Sequence, residues 1–140
     1  MPDIIHLATI NAAVFNVYKA LTEQEGLANW WTKNTIAKPE INSVAEFKFG
    51  KKYHNKMRVT ELIPNKKVSW ECEQAYPEWV GTTLVFDLED KGNQTILRFA
   101  HKNWKEITDF FANCNYHWGW YLTSLKNYCE TGKGTPYVDK

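Results

Sequence analysis

Cysteine is scarce. Cys72, Cys114 and Cys129 are the only three in 140 residues, an odd number without the close pairing of a metal site, a redox motif or a disulfide framework. They read as reduced, buried small hydrophobes. Five prolines and seven glycines build no repeat, linker or low-complexity stretch, so residues 1–140 are expected to form one domain. No charge of one sign dominates: 17 lysines and arginines nearly cancel 16 aspartates and glutamates, which leaves a nucleic-acid or acidic-membrane partner without electrostatic support. No apolar run approaches the ~20 residues of a membrane span, and Met1 runs into Ile4-Ile5-His6-Leu7 without the basic stretch and apolar core of a secretory leader. A cytoplasmic location is the expectation. Phosphate-cradling glycine loops, zinc spacings and nucleophile elbows are also missing, so neither a metal nor a nucleotide cofactor is implied.

What the chain has in quantity is aromatic residues, seven each of Trp, Tyr and Phe. Each buries on the order of 150–250 Å², enough to build a core or to wall a pocket. The strongest pattern lies in residues 109–132. At about 100° per residue, Phe111, Cys114, Trp118, Tyr121, Leu122, Leu125 and Cys129 fall in a sector about 120° wide, the stripe of a helix packed on one surface, and Gly132 stops it. Such a helix of about 22 residues is about 33 Å long, against about 23–30 Å for strands of 7–9 residues. One helix can therefore lie along a whole sheet.

The preceding residues supply that sheet. Ile4 to Ile10 is β-prone; Asn11 offers an N-cap, and Val14, Val17, Tyr18 and Leu21 follow at helical spacing. A second short helix is expected over residues 23–30. Residues 32–42 are polar and contain Pro39, which predicts irregular chain with at most an edge strand. From Val44 the period becomes two. Ala45, Phe47 and Phe49 share a face; residues 50–54 turn; residues 56–63 form a strand; Pro64-Asn65 turns again; Val68, Trp70 and Cys72, then Leu84, Phe86 and Leu88, then Thr95, Leu97, Phe99 and His101 alternate. Residues 76–79 form a loop carrying Tyr76 and Trp79. Short turns between strands require antiparallel pairing. The expected fold is α+β: a curved antiparallel sheet wrapped around a long C-terminal helix, with two short helices after the first strand.

Ala20-Leu21-Thr22 leading into Glu25-Gly26-Leu27-Ala28-Asn29-Trp30-Trp31, Pro64 before Val68-Ser69-Trp70, the strand Thr95 to His101, and Gly119-Trp120 with Leu122, Leu125 and Glu130-Thr131-Gly132 resemble the heat-shock-protein-90 ATPase activator homologue family. That family belongs to the START and Bet v 1-like superfamily, which includes polyketide cyclases and lipid carriers. The resemblance implies a helix-grip fold, often with an apolar cavity between sheet and helix, and a histidine at the position of His101. The activators that named the family carry a separate N-terminal chaperone-binding domain, whereas this chain starts almost at the first strand. The family's members are functionally diverse, so the resemblance implies the fold far better than any function.

The leading expectation is a binding module whose pocket, bounded by Phe47, Phe49, Trp70, Phe86, Phe99, His101, Trp118 and Leu122, holds a small, mostly apolar molecule. A cyclase- or hydrolase-like enzyme is the alternative. Its acid–base group would be His101, with Glu61 or Asp87 as carboxylate partner; the competing reading has a ring nitrogen of His101 bonded to a loop carbonyl and pinning the strand. Glu61 shares the parity of Met57, Val59 and Ile63 and points at the core, so it either pairs with a buried cation or hydroxyl or the strand bulges. Trp30 and Trp31 either both anchor the core or divide the work, one plugging it and the other gating access. Tyr116 and Trp120 fall on the outer side of the long helix. They are expected to be covered by the first helices or by the tail Thr135-Pro136-Tyr137-Val138, with a homodimer or chaperone contact as the other reading, in which Tyr76 and Trp79 serve as further anchors. Gly119 costs a helix about 1 kcal/mol relative to Ala, and close approach of another backbone is expected there.

Overall fold

The computed structural model describes residues 1–139. The strands are β1 (Ile4–Ile10), β2 (Asn34–Ile36), β3 (Val44–Phe49), β4 (Tyr53–Ile63), β5 (Lys67–Gln74), β6 (Thr83–Asp90) and β7 (Thr95–Lys102); the helices are α1 (Val14–Thr22), α2 (Gln24–Trp30) and α3 (Asp109–Thr131). The strands form one antiparallel sheet in the order β1-β7-β6-β5-β4-β3-β2. From β2 to β7 the chain meanders, and β1 adds itself beside the last strand. The pair α1–α2 carries the chain from one sheet edge to the other, because β1 and β2 are the two edges. This is the helix-grip architecture.

The grip comes from alternation. Ala45 and Phe47, Val68 and Trp70, Leu84 and Phe86, and Leu97 and Phe99 are buried on the face that meets Cys114, Trp118, Leu122 and Leu125 of α3. Thr108 begins α3, its hydroxyl accepting from Phe111 N at 3.1 Å and donating to Glu78 Oε1 at 2.6 Å. Gly132 ends it in the left-handed region at φ 83°, a conformation that costs glycine nothing.

Several local expectations are corrected. Asn11 does not cap α1, whose N-cap is Ala13; its amide N–H donates to Glu130 Oε2 and its side-chain oxygen accepts from Gln94 Nε2, tying β1 to the end of α3 and to the β6–β7 turn. Strand β4 starts at Tyr53 rather than residue 56, since Phe49 already pairs with Tyr53 across the hairpin. A register shift between Val59 and Glu61 reverses the parity of the end of β4, so Leu62 packs on the core and Glu61 turns outward. Gly119 has no backbone against it: a Cβ there would first meet His6 Cε1, at 3.8 Å. The close crossing is at Gly26, where a Cβ would lie 2.6 Å from Ala20 Cα. Tyr116 and Trp120 are 78% and 59% exposed, and the tail that was to cover them goes elsewhere. It pairs with the residues after α2, Lys33 N donating to Tyr137 O at 3.0 Å and Tyr137 N to Trp31 O at 2.9 Å.

Candidate ligand-binding site

Trp31 divides the interior under α3. Following directly on α2, it is held with its ring centroid 4.5 Å from Phe47, 5.8 Å from Trp70 and 5.3 Å from Trp118, stacked on both tryptophans. Behind it the space is full. Phe86 lies 5.0 Å from both Trp70 and Phe99, Phe99 lies 4.5 Å from Trp118, and Trp30 stacks on Trp31 at 5.9 Å while its indole N–H donates to Ala20 O. Both members of the Trp30–Trp31 pair are thus core anchors, 0% and 2% exposed.

In front of Trp31 a cavity of about 590 Å³ opens between the β3–β4 hairpin, the turn Pro77–Trp79, the first half of α3 and Tyr137 of the tail. This volume is in the range of small-molecule sites, about 300–1,000 Å³. Its walls include Trp31, Phe49, Tyr53, Tyr76, Trp79, Phe110, Trp118, Tyr121 and Tyr137, with Cys114 among them and Asn113, His117, Lys51 and Lys52 also lining it. Tyr76 and Phe110 stack across the gap between turn and helix at 4.1 Å.

Of the residues expected to bound the pocket, Phe49 and Trp118 do so. Phe47, Trp70, Phe86, Phe99, His101 and Leu122 do not; they are buried in the filled half. The reason is Trp31, whose ring occupies the central volume that the alternation pattern had left for a ligand. Sequence reasoning missed Tyr53 because it assigned residues 50–54 to a turn, and Asn55 because it began the next strand at residue 56, whereas β4 starts at Tyr53. Asn55 carried a usable signal: a polar residue on the parity of Met57 and Val59, at an inward position. Asn55 is 5% exposed. Its Oδ1 is occluded and unpaired among the described residues, and a buried carbonyl oxygen without a partner is costly.

His101 lies apart from this cavity, 0% exposed. Its Nδ1 accepts from Trp118 Nε1 at 3.2 Å, and its Nε2 lies 2.8 Å from Thr82 Oγ1, which itself donates to Trp79 O at 2.5 Å. The bonding partners are therefore an indole and a hydroxyl rather than a loop carbonyl. Burial pulls its pKa down to about 3, so the ring is neutral and has no free nitrogen to offer a substrate. Glu61 stands on β4, with β5 and β6 between it and the strand of His101; it is half-buried, 3.4 Å from Lys67 Nζ and accepting from Ser69 Oγ at 3.4 Å. Asp87 is exposed. No carboxylate thus meets His101, and the acid–base pairing expected for an enzyme is not assembled. Within the cavity wall, burial pushes the Cys114 thiol up to about 11, against a smaller downward pull from the Trp79 indole, and raises Tyr121. Both stay protonated at neutral pH. Among the described residues no cluster of three His, Cys, Asp or Glu side chains gathers as a metal site would need, and no helix is long and apolar enough to cross a membrane.

Comparison with known proteins places this geometry. A solution structure of an Aha1 dimer from Colwellia psychrerythraea is 41% identical, covers 96% of this chain and 100% of its own, and superposes with a TM-score of 0.87. A crystal structure of a Staphylococcus saprophyticus protein shares the fold at 14% identity, with 98% of both chains covered and a TM-score of 0.80. One from the dynemicin biosynthetic locus does so at 19% identity, covering 94% of this chain and 48% of that one, with a TM-score of 0.77. No curated protein matches the sequence. The family model described as activator of Hsp90 ATPase homolog 1-like protein matches residues 11–130, and the chain belongs to that family.

Proposed function

We propose that this domain binds one small, mostly apolar molecule in the cavity in front of Trp31. The observation that carries the reading is an aromatic-walled space of about 590 Å³ with the unpaired Asn55 amide in its wall. An interior that needed only stability would close such a space, since empty volume and an unpaired amide both destabilise. The test is thermal-shift screening against lipids, isoprenoids and aromatic polyketides. A ligand present at 100 times its Kd stabilises by about 2.7 kcal/mol, a shift of several degrees in a domain of this size. Cys114→Phe or Asn113→Trp, each placing a ring in the cavity, is expected to abolish the shift. A panel without a hit, or hits that survive both variants, refutes the proposal. Three unpaired cysteines accord with a cytoplasmic site of action, and we treat residues 1–140 as one functional unit.

A second reading concerns association. Tyr116 and Trp120 stand exposed on the outer side of α3, and the Colwellia relative was solved as a dimer. Self-association through this pair predicts a dimer mass in light scattering that falls to the monomer in Tyr116→Ser/Trp120→Ser. A monomeric wild type refutes it. Chaperone contact through the same pair predicts that the double variant loses capture of purified Hsp90.

A further inference from the structure

We propose that the molecule held in the cavity is an aromatic acid, whose anionic group is received by Lys51 and Lys52 at the mouth while its ring system lies against Trp31, Trp118 and Tyr121. This deepens the ligand-binding reading and rests on it.

Charge is the first ground. The chain is nearly balanced, with 16 acidic residues and a net charge of +1, yet the cavity is lined by two lysines and by no aspartate or glutamate. Five basic side chains are held by carboxylates, Arg58 by Glu73, Lys67 by Glu61, Lys91 and Arg98 by Glu89, and Lys126 by Glu130, and the two at the cavity are not among them. Lys51 and Lys52 have no such partner among the described residues. A cationic ligand would meet two like charges, and a neutral one would leave both unused.

Placement is the second. Both lysines sit on the β3–β4 hairpin, whose Gly50 adopts φ 70° and lies so near the tail that a Cβ would come 2.9 Å from the Tyr137 hydroxyl. The hairpin is thereby set against a residue of the cavity wall. Lys52 Nζ stands 5.4 Å from the ring centroid of Tyr53, itself a wall residue, so cation–π attraction keeps the ammonium at the rim.

Depth is the third. Behind the rim the walls are flat rings, with Trp31 and Trp118 stacked 5.3 Å apart. Asn55 also lines the cavity and is 5% exposed. Planar surfaces favour a planar ligand. An apolar ring system with an acidic group at one end satisfies rim and wall together.

Fluorescence titration of the whole chain with anilinonaphthalene sulfonate and with N-phenylnaphthylamine, the same ring system without its acid, tests this. The sulfonate is expected to bind about fivefold more tightly at low salt, as two exposed ion pairs allow, and the advantage shrinks at high salt. Lys51→Gln/Lys52→Gln removes the advantage and leaves the neutral probe unchanged, while Cys114→Phe or Asn113→Trp abolishes binding of both. Equal affinities in the wild type, or a sulfonate affinity indifferent to the lysine variant, overturn the acid proposal and leave the cavity reading standing. Failure of both probes to bind, or binding that persists in the cavity-blocked variants, overturns the cavity reading and this proposal with it.

Discussion

Trp118 Nε1 donates a hydrogen bond to His101 Nδ1 across 3.2 Å, joining the long helix to the last strand. Because an indole N–H can only donate, His101 must leave Nδ1 bare and carry its proton on Nε2. That proton goes to Thr82 Oγ1 at 2.8 Å, and the Thr82 hydroxyl goes on to Trp79 O at 2.5 Å. Every donor in this chain of contacts meets an acceptor only while the imidazole is neutral. The histidine that the family resemblance singled out is thus a structural joint between α3, β7 and the turn that carries Trp79.

Acid should loosen that joint. Burial holds the folded-state pKa of His101 at about 3, below the ordinary ~6.5, so its contribution to stability is whole above pH ~6.5. It is lost as pH falls toward 3, by at most about 1.4 kcal/mol per pH unit. Urea unfolding followed by tryptophan fluorescence at pH 7 and pH 4.5 is expected to cost the wild type roughly 2 kcal/mol more than His101→Gln, which cannot titrate. Parallel pH slopes for the two proteins contradict the assignment.

Asn55 is expected to trade stability against binding. Asn55→Leu replaces an occluded, unpaired amide oxygen with an apolar side chain of similar size and should raise the unfolding free energy by about 1 kcal/mol. The same change weakens any ligand that hydrogen-bonds the amide. Urea midpoints measured without ligand decide the first part: a destabilised variant means the amide is already bonded, to ordered water.

What the sequence disclosed follows the range of each signal. The stripe from Phe111 to Cys129, closed by Gly132, marked α3 almost to the residue, and strict alternation marked β3, β5, β6 and β7, because both patterns arise within one element. The pocket was misplaced because its position depends on where Trp31 goes, and Trp31 acts on Phe47, Trp70 and Trp118, residues distant in sequence. Nothing in a local period reports that a ring from the end of α2 will fill the centre of the sheet. For Tyr116 and Trp120 the helical wheel fixed the side of α3 correctly but not the neighbour: the tail pairs with Trp31 and Lys33 instead. Phe49 was marked by parity, and Asn55, on the parity of Met57 and Val59, could have been.

Two helical glycines should respond to alanine with opposite signs. At Gly119 the nearest atom to an added Cβ is a side-chain atom at 3.8 Å, an ordinary contact, whereas at Gly26 the added carbon would stand 2.6 Å from backbone Ala20 Cα. Gly119→Ala is therefore expected to gain about 1 kcal/mol from helix propensity. Gly26→Ala must push α1 and α2 apart and should lose 2 kcal/mol or more, on the order of other overpacked sites. Thermal melting of the two variants beside the wild type reads both signs, and a Gly119→Ala that melts lower would mean that His6 cannot give way.

Ser124 fastens the tail to the core. Its hydroxyl, 0% exposed, donates to Trp30 O at 2.8 Å and accepts from Thr135 N at 2.7 Å, so one side chain serves two backbone groups. Beside it Gly134 passes so close that a Cβ would lie 2.5 Å from Asn29 O. Ser124→Ala leaves both backbone groups without this partner and should cost about 1–3 kcal/mol. Because the tail carries Tyr137 to the cavity wall, its release also frees the chain after Lys133 for proteolysis. Limited trypsin digestion followed by mass spectrometry is expected to show faster cleavage after Lys133 in the variant than in the wild type. Equal rates would assign the hold on the tail to the Tyr137 backbone pair with Trp31 and Lys33 alone.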